Sequence, residues 1–256
     1  MADIIQTGIE AARAAGEYLL DHFGKQHTVR AKGDRNLVTD SDRAAQEMIV
    51  GLIERRFPGH GIIAEEGGSV RQEAEYLWIV DPLDGTHNYI RGIDIFGVSI
   101  GVVHKARYIA GIIFMPSSGE LYVGEQGSGA YKNGRRITVS SNNAFTQYSV
   151  SFDSGLRHAP ERMLPVLREL ADRAFNVRMF GSSARALSYL AEGKLDISVE
   201  FEDQPWDCAA GICLIEQAGG RVTDLFGRPM GHTTIGYIAT NGRAHQEVLD
   251  IVLRFR

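Results

Sequence analysis

Asp81 and Asp84 stand three residues apart at the end of an apolar run, Tyr76-Leu77-Trp78-Ile79-Val80. Pro82 between them fixes its own φ and offers no N–H, and Gly85 behind them admits a backbone shape or a close approach that other residues resist. Two carboxylates held together by such a turn repel each other and lose hydration unless something compensates. A hard divalent cation such as Mg²⁺ compensates well, because it takes oxygen ligands in an octahedron. Glu65 closes the short apolar stretch Gly61-Ile62-Ile63-Ala64 and is a third carboxylate at an element end. Asp207, in Pro205-Trp206-Asp207-Cys208, is a fourth, at the expected start of a helix. Each has a plainer reading. Asp81 caps a turn and Asp84 is exposed, since Asp-Pro and Asp-Gly are common turn dipeptides; Asp207 is an N-cap. The chemical reading holds only where the fold gathers these residues.

The elements that must position them are read from periodicity. Ile5, Ile9, Ala12, Gly16, Leu19 and Phe23 recur at steps of three and four and predict a helix over 3–23, stopped at Gly24. A second helix starts near Ser41, buries Ala45, Met48, Ile49, Leu52 and Ile53, and ends at Pro58-Gly59. Strands follow over 61–64, 76–80, 96–104, 108–115 and 120–125, and Asn133-Gly134 is a turn signal. A boundary between two halves falls near 142–144, dividing 1–142 from 143–256. The second half alternates: helices over 160–174, 182–191 and 207–218 and one from near Arg243, with strands over 177–180, 196–201, 221–224 and 237–240. The pattern is that of a layered α/β protein with antiparallel strands in its first half.

Composition narrows the function. The 256 residues are 44% hydrophobic, ample for a core, and the formal net charge of -5 argues against nucleic acid, whose phosphates are held by clustered Lys and Arg. No apolar stretch approaches the roughly 18 residues of a membrane helix. The first residues, Met1 to Gln6, lack the basic segment and apolar core of a secretory signal. Cys208 and Cys213 are five apart on an expected helix and point to different faces, so neither a disulfide nor a metal clip is expected, and a reducing cytoplasm fits.

The ordered set AEE (64–66), DPLDGTHN (81–88) and WDCAAG (206–211) resembles the inositol monophosphatase family of Mg²⁺-dependent, lithium-sensitive sugar-phosphate phosphatases. NLVTDSD (36–42) and EQAGG (216–220) match as well, so the resemblance covers nearly the whole chain. It implies a layered α-β-α-β-α sandwich of the sugar-phosphatase type, with an antiparallel sheet in the first half and a mixed sheet in the second. It also implies a homodimer and two or three Mg²⁺ ions held by Glu65, Asp81, Asp84, Asp207 and the Leu83 carbonyl. Thr86 and Asp42 match a pair that orients the attacking water. Gly85, Thr86, Asp84, Ser183, Glu200 and Asp207 match substrate-side positions, and Ser183 stands where animal members carry alanine. The activity implied is hydrolysis of inositol 1-phosphate or a similar small phosphomonoester. Histidinol phosphate, fructose 1,6-bisphosphate and nucleotide 3'-phosphates are alternatives within the same chemistry. Some bacterial members imply a different class, a regulatory protein that associates with transcription machinery.

Other signals are set aside. Gly97-Val98-Ser99-Ile100-Gly101 has the GxSxG spacing of serine hydrolases, but Val102-Val103 continue the strand where a nucleophile elbow needs a turn and a helix. Trp78 and Trp206 are expected to pack beside the site, Arg178 and Arg185 to form structural salt bridges, His87 to be a loop residue, and Lys32 to be solvated.

Overall fold

The computed structural model describes the backbone of residues 1–25, 28–33 and 36–255, and the side chains of all of these but 31–33, 36 and 37. Lys32 therefore lies outside the described side chains. The apolar spacing near the N-terminus folds as α1 (Ala2–His22), which buries Ile4, Ala11, Ala12, Ala15 and Leu19. A hairpin, β1 (Val29–Gly33) and β2 (Asn36–Thr39), leads into α2 (Asp40–Arg56), which packs beside α1 and buries Ala45, Ile49 and Ile53. Met48, expected inside, is on its exposed side.

These helices cover one face of a seven-stranded sheet laid down in chain order: β3 (Gly61–Ala64), β4 (Tyr76–Asp84), β5 (Gly97–His104), β6 (Arg107–Met115), β7 (Glu120–Glu125), β8 (Gly129–Lys132) and β9 (Arg135–Ile137). Between β4 and β5 lies the short α3 (Thr86–Ile90). From β4 to β9 every neighbour is antiparallel, whereas β3 joins β4 in parallel. The cause is local. After β3 the chain folds back along it, Ile62 and Val70 exchanging N–H···O bonds of 2.9 Å, and so returns to the end from which β3 began. Asn133 and Gly134, both at positive φ, make the tight turn from β8 to β9.

The other face of this sheet receives a central layer, α5 (Ser183–Ala191) and α6 (Pro205–Gln217). Glycines make the approach possible. Gly101, Gly111 and Gly124 stand opposite one another on β5, β6 and β7. A Cβ on Gly111 would lie 2.1 Å from the Ala210 carbonyl oxygen, and one on Gly101 would lie 2.5 Å from the Ala209 Cβ. Within the layer, Gly211 lets α6 meet Leu187 of α5, which would stand 2.2 Å from an added Cβ.

Beyond the central layer lies a mixed five-stranded sheet made of β10 (Ser149–Phe152), β11 (Asn176–Arg178), β12 (Ile197–Glu200), β13 (Arg221–Thr223) and β14 (Tyr237–Thr240), in the order β11-β10-β12-β14-β13. Both of β10's partners are parallel to it, and β14's are antiparallel. The outer face is closed by α4 (Pro160–Arg173) and α7 (His245–Arg254), giving helix, sheet, helix, sheet, helix. Three apolar cores fill the gaps between layers. A charged network ties α5 to the first sheet. Arg185 donates to Glu120 at 2.7 Å, and Lys132 reaches both Glu120 and Glu192. Partial burial opposes ionisation of Glu120, but its bonds from Lys132, Arg185 and Ser118 hold it at about 2.

Candidate active site

Strand register explains why the first two carboxylates meet. Ala64 on β3 is opposite Val80 on the parallel β4, and the Glu65 N–H donates to the Val80 carbonyl at 3.2 Å. Glu65 thus leaves its strand where Asp81 follows the apolar run, and their side chains share a hydrogen bond. Past Asp81 the pairing with β5 breaks register. The bulge is held by the Asp81 carboxylate, whose Oδ1 accepts from the Leu83 N–H at 3.0 Å. Asp81 does cap a turn, as the plainer reading has it, but it does so fully buried among other acids.

Asp84 is only 6% exposed, so the reading of it as a surface residue fails. Its Oδ1 accepts from the Ser183 N–H at 3.0 Å, and its Oδ2 accepts from the Ala184 N–H at 3.3 Å and from the Ser182 hydroxyl. The carboxylate therefore sits at the N-terminus of α5, where the helix dipole favours an anion. Gly85 follows at φ +81°, and a Cβ there would stand 2.7 Å from the Ile95 carbonyl oxygen, which keeps the position free of a side chain. Asn88 on α3 then ties this turn to the loop before α5, donating to Ile95 O at 2.9 Å and Phe180 O at 2.8 Å.

The Thr86 hydroxyl lies 3.1 Å from Asp42 Oδ1 and 3.0 Å from the Leu83 carbonyl. Asp42 is the third residue of α2, and its other oxygen accepts from the Thr39 N–H at 2.8 Å in a capping box. Asp207 occupies the corresponding position of α6, where its Oδ2 accepts from the Gln204 N–H at 2.6 Å. The expectation of a helix N-terminus holds, although the N-cap itself is Gln204.

The electrostatics bind these residues into one group. Burial lifts Asp81 far above the usual carboxylate range, and Glu65, Asp84 and Asp207 lift it further. Burial carries Asp84 up to about 6 despite its three donors. Asp207 is raised by burial, then by Asp203 and Glu65. Burial also raises Asp42 against the donors from Thr39 and Thr86. Among the described residues, no three Asp, Glu, His or Cys side chains are already drawn in to the spacing of a metal's ligand shell. The carboxylates rest instead on local N–H and O–H donors. As a donor set they fit a hard cation: oxygen only and mutually repelling, with Asp81 and Asp84 buried, Glu65 and Asp207 partly so, and the Leu83 carbonyl among them.

Ser183 opens α5 beside Asp84, and Glu200 closes β12, nearly buried. Two acids near them were not singled out by the sequence. Asp153 follows β10 just as Asp81 follows its apolar run, and Asp203 sits between Glu200 and Asp207; both act electrostatically on Glu200. The signal for Asp153 was present in Ser149-Val150-Ser151-Phe152-Asp153, an apolar alternation ending on an acid.

Other expectations need correction. Trp78 is not beside the site: it points into the core under α1 and α2, donating to His60 at 3.0 Å, because three residues along a strand reverse the face. Arg178 bonds to Asn176 and forms no ion pair among the described residues, whereas Arg185 does. Ser99 is fully buried in mid-strand and donates to the Trp206 carbonyl at 3.5 Å. His87 is exposed but lies on α3 rather than in a loop, and both cysteines are free and buried. No helix of the described residues is long and apolar enough to cross a membrane.

Comparison with known proteins gives the same arrangement a lineage. A fructose-1,6-bisphosphatase/inositol-1-monophosphatase of Aquifex aeolicus is 36% identical over 249 residues, 96% of this chain and 93% of the relative. A Nus factor SuhB of Pseudomonas aeruginosa is 34% identical over 236 residues, 89% of this chain and 87% of the relative. The crystal structure of the extragenic suppressor protein suhB from Bartonella henselae superposes with a TM-score of 0.93 at 32% identity, covering 98% of each chain. The sequence profile of the inositol monophosphatase family matches residues 1–254, and with whole-chain agreement in both sequence and fold the protein belongs to that family.

Proposed function

We propose that the protein is a Mg²⁺-dependent phosphomonoesterase acting on a small polyol or sugar phosphate, with myo-inositol 1-phosphate the first substrate to try. The observation that carries this is the convergence of Glu65, Asp81, Asp84 and Asp207, from elements far apart in sequence, beside the Thr86–Asp42 hydrogen bond. Those four carboxylates and the Leu83 carbonyl would hold two or three Mg²⁺. Bound there, the ions supply the positive charge that a phosphate needs beside four acids, and they make water a stronger acid.

The chain's own groups do the rest. The Thr86 hydroxyl, donating to Asp42, keeps lone pairs that orient a water, and Asp42, raised by burial, is able to take the proton relayed through it. The N–H groups of Gly85 and Thr86 offer donors to the phosphate, and Ser183 and Glu200 stand on the side of the alcohol. Phosphate release from a panel of phosphomonoesters, with and without Mg²⁺, tests the reading, and family membership adds an expectation of inhibition by millimolar-scale Li⁺. Full activity after exhaustive chelation overturns it.

A homodimer is proposed on family membership, supported by Phe175, 73% exposed, and the exposed Met179 flanking the edge strand β11; sedimentation tests it. A cytoplasmic location is proposed on the free thiols. A second role, as a regulatory protein in transcription, is favoured by the name of the Pseudomonas relative, a Nus factor. Pull-down with a metal-site variant separates the two, since such association would survive the loss of catalysis.

A further inference from the structure

Three of the four carboxylates proposed to hold the cations are fixed by backbone donors. Asp81 accepts from the Leu83 N–H, Asp84 from the N–H groups of Ser183 and Ala184, and Asp207 from the Gln204 N–H. Glu65 has a longer side chain with more rotamer freedom to lose, and it reaches the others from a turn. That turn runs from Ala64 to Gly67, whose N–H donates to the Ala64 carbonyl at 3.3 Å. Gly67 and Gly68 then follow at φ +85° and +76°, both exposed, with nothing within 4 Å of where a Cβ would stand. Packing does not hold this stretch.

Gln46 of α2 spans it. Its Oε1 accepts from the Glu66 N–H at 2.9 Å, and its Nε2 donates to the Gly67 carbonyl at 2.9 Å. A carboxamide carries a donor and an acceptor on one group, so it meets an N–H and a C=O together. The Glu66 N–H belongs to the peptide that follows Glu65. The peptide before Glu65 is held by β4, through the bond from the Glu65 N–H to the Val80 carbonyl. Peptide groups are planar, so holding one on each side of a residue fixes its two soft dihedrals and the direction of its Cβ. The sheet thus holds one side of Glu65 and α2 holds the other.

The same helix carries the water-orienting pair. Gln46 stands four residues after Asp42, one turn along the same face. Asp42 accepts from the Thr86 hydroxyl at 3.1 Å and lies near enough to Glu65 to be raised by it. Neighbouring side chains on one helix face therefore set Thr86 and the turn of Glu65 in a common frame.

We propose that Gln46 is a positioning residue: by holding the peptide after Glu65 it aims that carboxylate at the cation site. This rests on the phosphomonoesterase reading above. Without the clamp, Glu65 must be ordered as the cation binds, so the loss falls on cation affinity. Enough cation reseats the carboxylate, so turnover at saturation survives.

Gln46→Met keeps the length of the side chain and its helix propensity and removes both hydrogen bonds. Calorimetry on the substrate-free protein should show Mg²⁺ binding weakened about ten- to a hundredfold, and the Mg²⁺ concentration giving half-maximal hydrolysis of p-nitrophenyl phosphate should rise in step. At saturating Mg²⁺, kcat and the KM for p-nitrophenyl phosphate should stay within about threefold of wild type. Melting curves of the chelated protein establish that the variant is folded. A residue that only supports the fold would lower that melting temperature and kcat together and leave the Mg²⁺ midpoint in place; this result, or wild-type Mg²⁺ affinity in the variant, overturns the role of Gln46. In the wild type, independently of any variant, saturating Mg²⁺ should slow hydrogen exchange at the Glu66 amide, because a clamp that favours the cation is favoured by it. Exchange indifferent to Mg²⁺ also overturns the role. A wild type that binds no Mg²⁺, or whose phosphatase activity does not depend on it, overturns the Mg²⁺-dependent phosphomonoesterase reading itself.

Discussion

At Thr86 a single hydroxyl proton is shared by two acceptors, Asp42 Oδ1 at 3.1 Å and the Leu83 carbonyl at 3.0 Å. It serves one at a time. Occupation of the Leu83 carbonyl by a cation would commit it to Asp42, which is the arrangement the proposed reaction needs. Thr86→Ala is therefore expected to lower kcat roughly a hundred- to ten-thousand-fold with little change in KM, as steady-state kinetics will read. An unaltered kcat removes Thr86 from the chemistry. Asp207 tests the other half of the site. Asp207→Asn keeps an oxygen for the Gln204 N–H, so α6 should still start where it does. Calorimetry should show weaker Mg²⁺ binding and assays a sharp fall in turnover, while the melting temperature of the chelated protein holds or rises as repulsion from Asp203 and Glu65 is relieved. Wild-type Mg²⁺ affinity in the variant would return Asp207 to a purely structural role. The acids Glu65, Asp81, Asp84 and Asp207 were legible because they stand at strand ends, a turn and a helix start within motifs that the family resemblance marks. Asp153 and Asp203 were not, because only the fold brings them to act on Glu200.

Among the elements, α6 is set closest to the first sheet, in the trough made by Gly101, Gly111 and Gly124. Gly111→Ala would drive a methyl into the Ala210 carbonyl, a backbone atom with nowhere to go. A loss of about 1–3 kcal/mol is expected from thermal or urea unfolding, and an unchanged midpoint would mean that the helix lifts freely. The same trough would be bare in residues 1–142 alone. We propose that 1–142 and 143–256 are halves of one catalytic unit, so that the first half expressed by itself should aggregate or bind a hydrophobic dye; a sharp, cooperative melt from it would show otherwise. Long elements such as α1 and β5 to β7 could be read from their sequence because each shows several periods of its pattern. β10, with four residues, and α3, with five, are too short to show one. The parallel placement of β3 escaped for another reason: it is dictated by the fold-back at Val70, outside the strand itself.

For the whole molecule, two groups outside the candidate site, His245 and Glu120, respond to acid in separate windows. His245 is 1% exposed, held between the Thr223 and Thr240 hydroxyls at 3.0 and 3.1 Å, and burial together with Arg221 lowers it to about 4. Between about pH 6.5, where an unfolded histidine titrates, and about 4, the unfolded chain binds a proton at this residue that the folded one refuses, so the contribution of His245 to stability falls as pH falls, while Asp84, at about 6 when folded, contributes with the opposite sign. The ceiling on this loss is about 3 kcal/mol. His245→Gln should flatten that part of a melting-temperature profile, and an identical slope in the variant would assign it elsewhere. Glu120 acts lower: held at about 2, it contributes stability above its unfolded range that is lost only as pH drops toward that value. Between these extremes the two halves are joined by Asp84, which belongs to the first by sequence and to the second by its bonds to Ser182, Ser183 and Ala184. The carboxylate has about four lone-pair sites and three are taken, so a cation on the fourth would share Asp84 with the first turn of α5. Filling the site and seating that helix would then be linked, and by reciprocity whatever changes the seat of α5 changes the hold on the cation by the factor that the cation changes the seat.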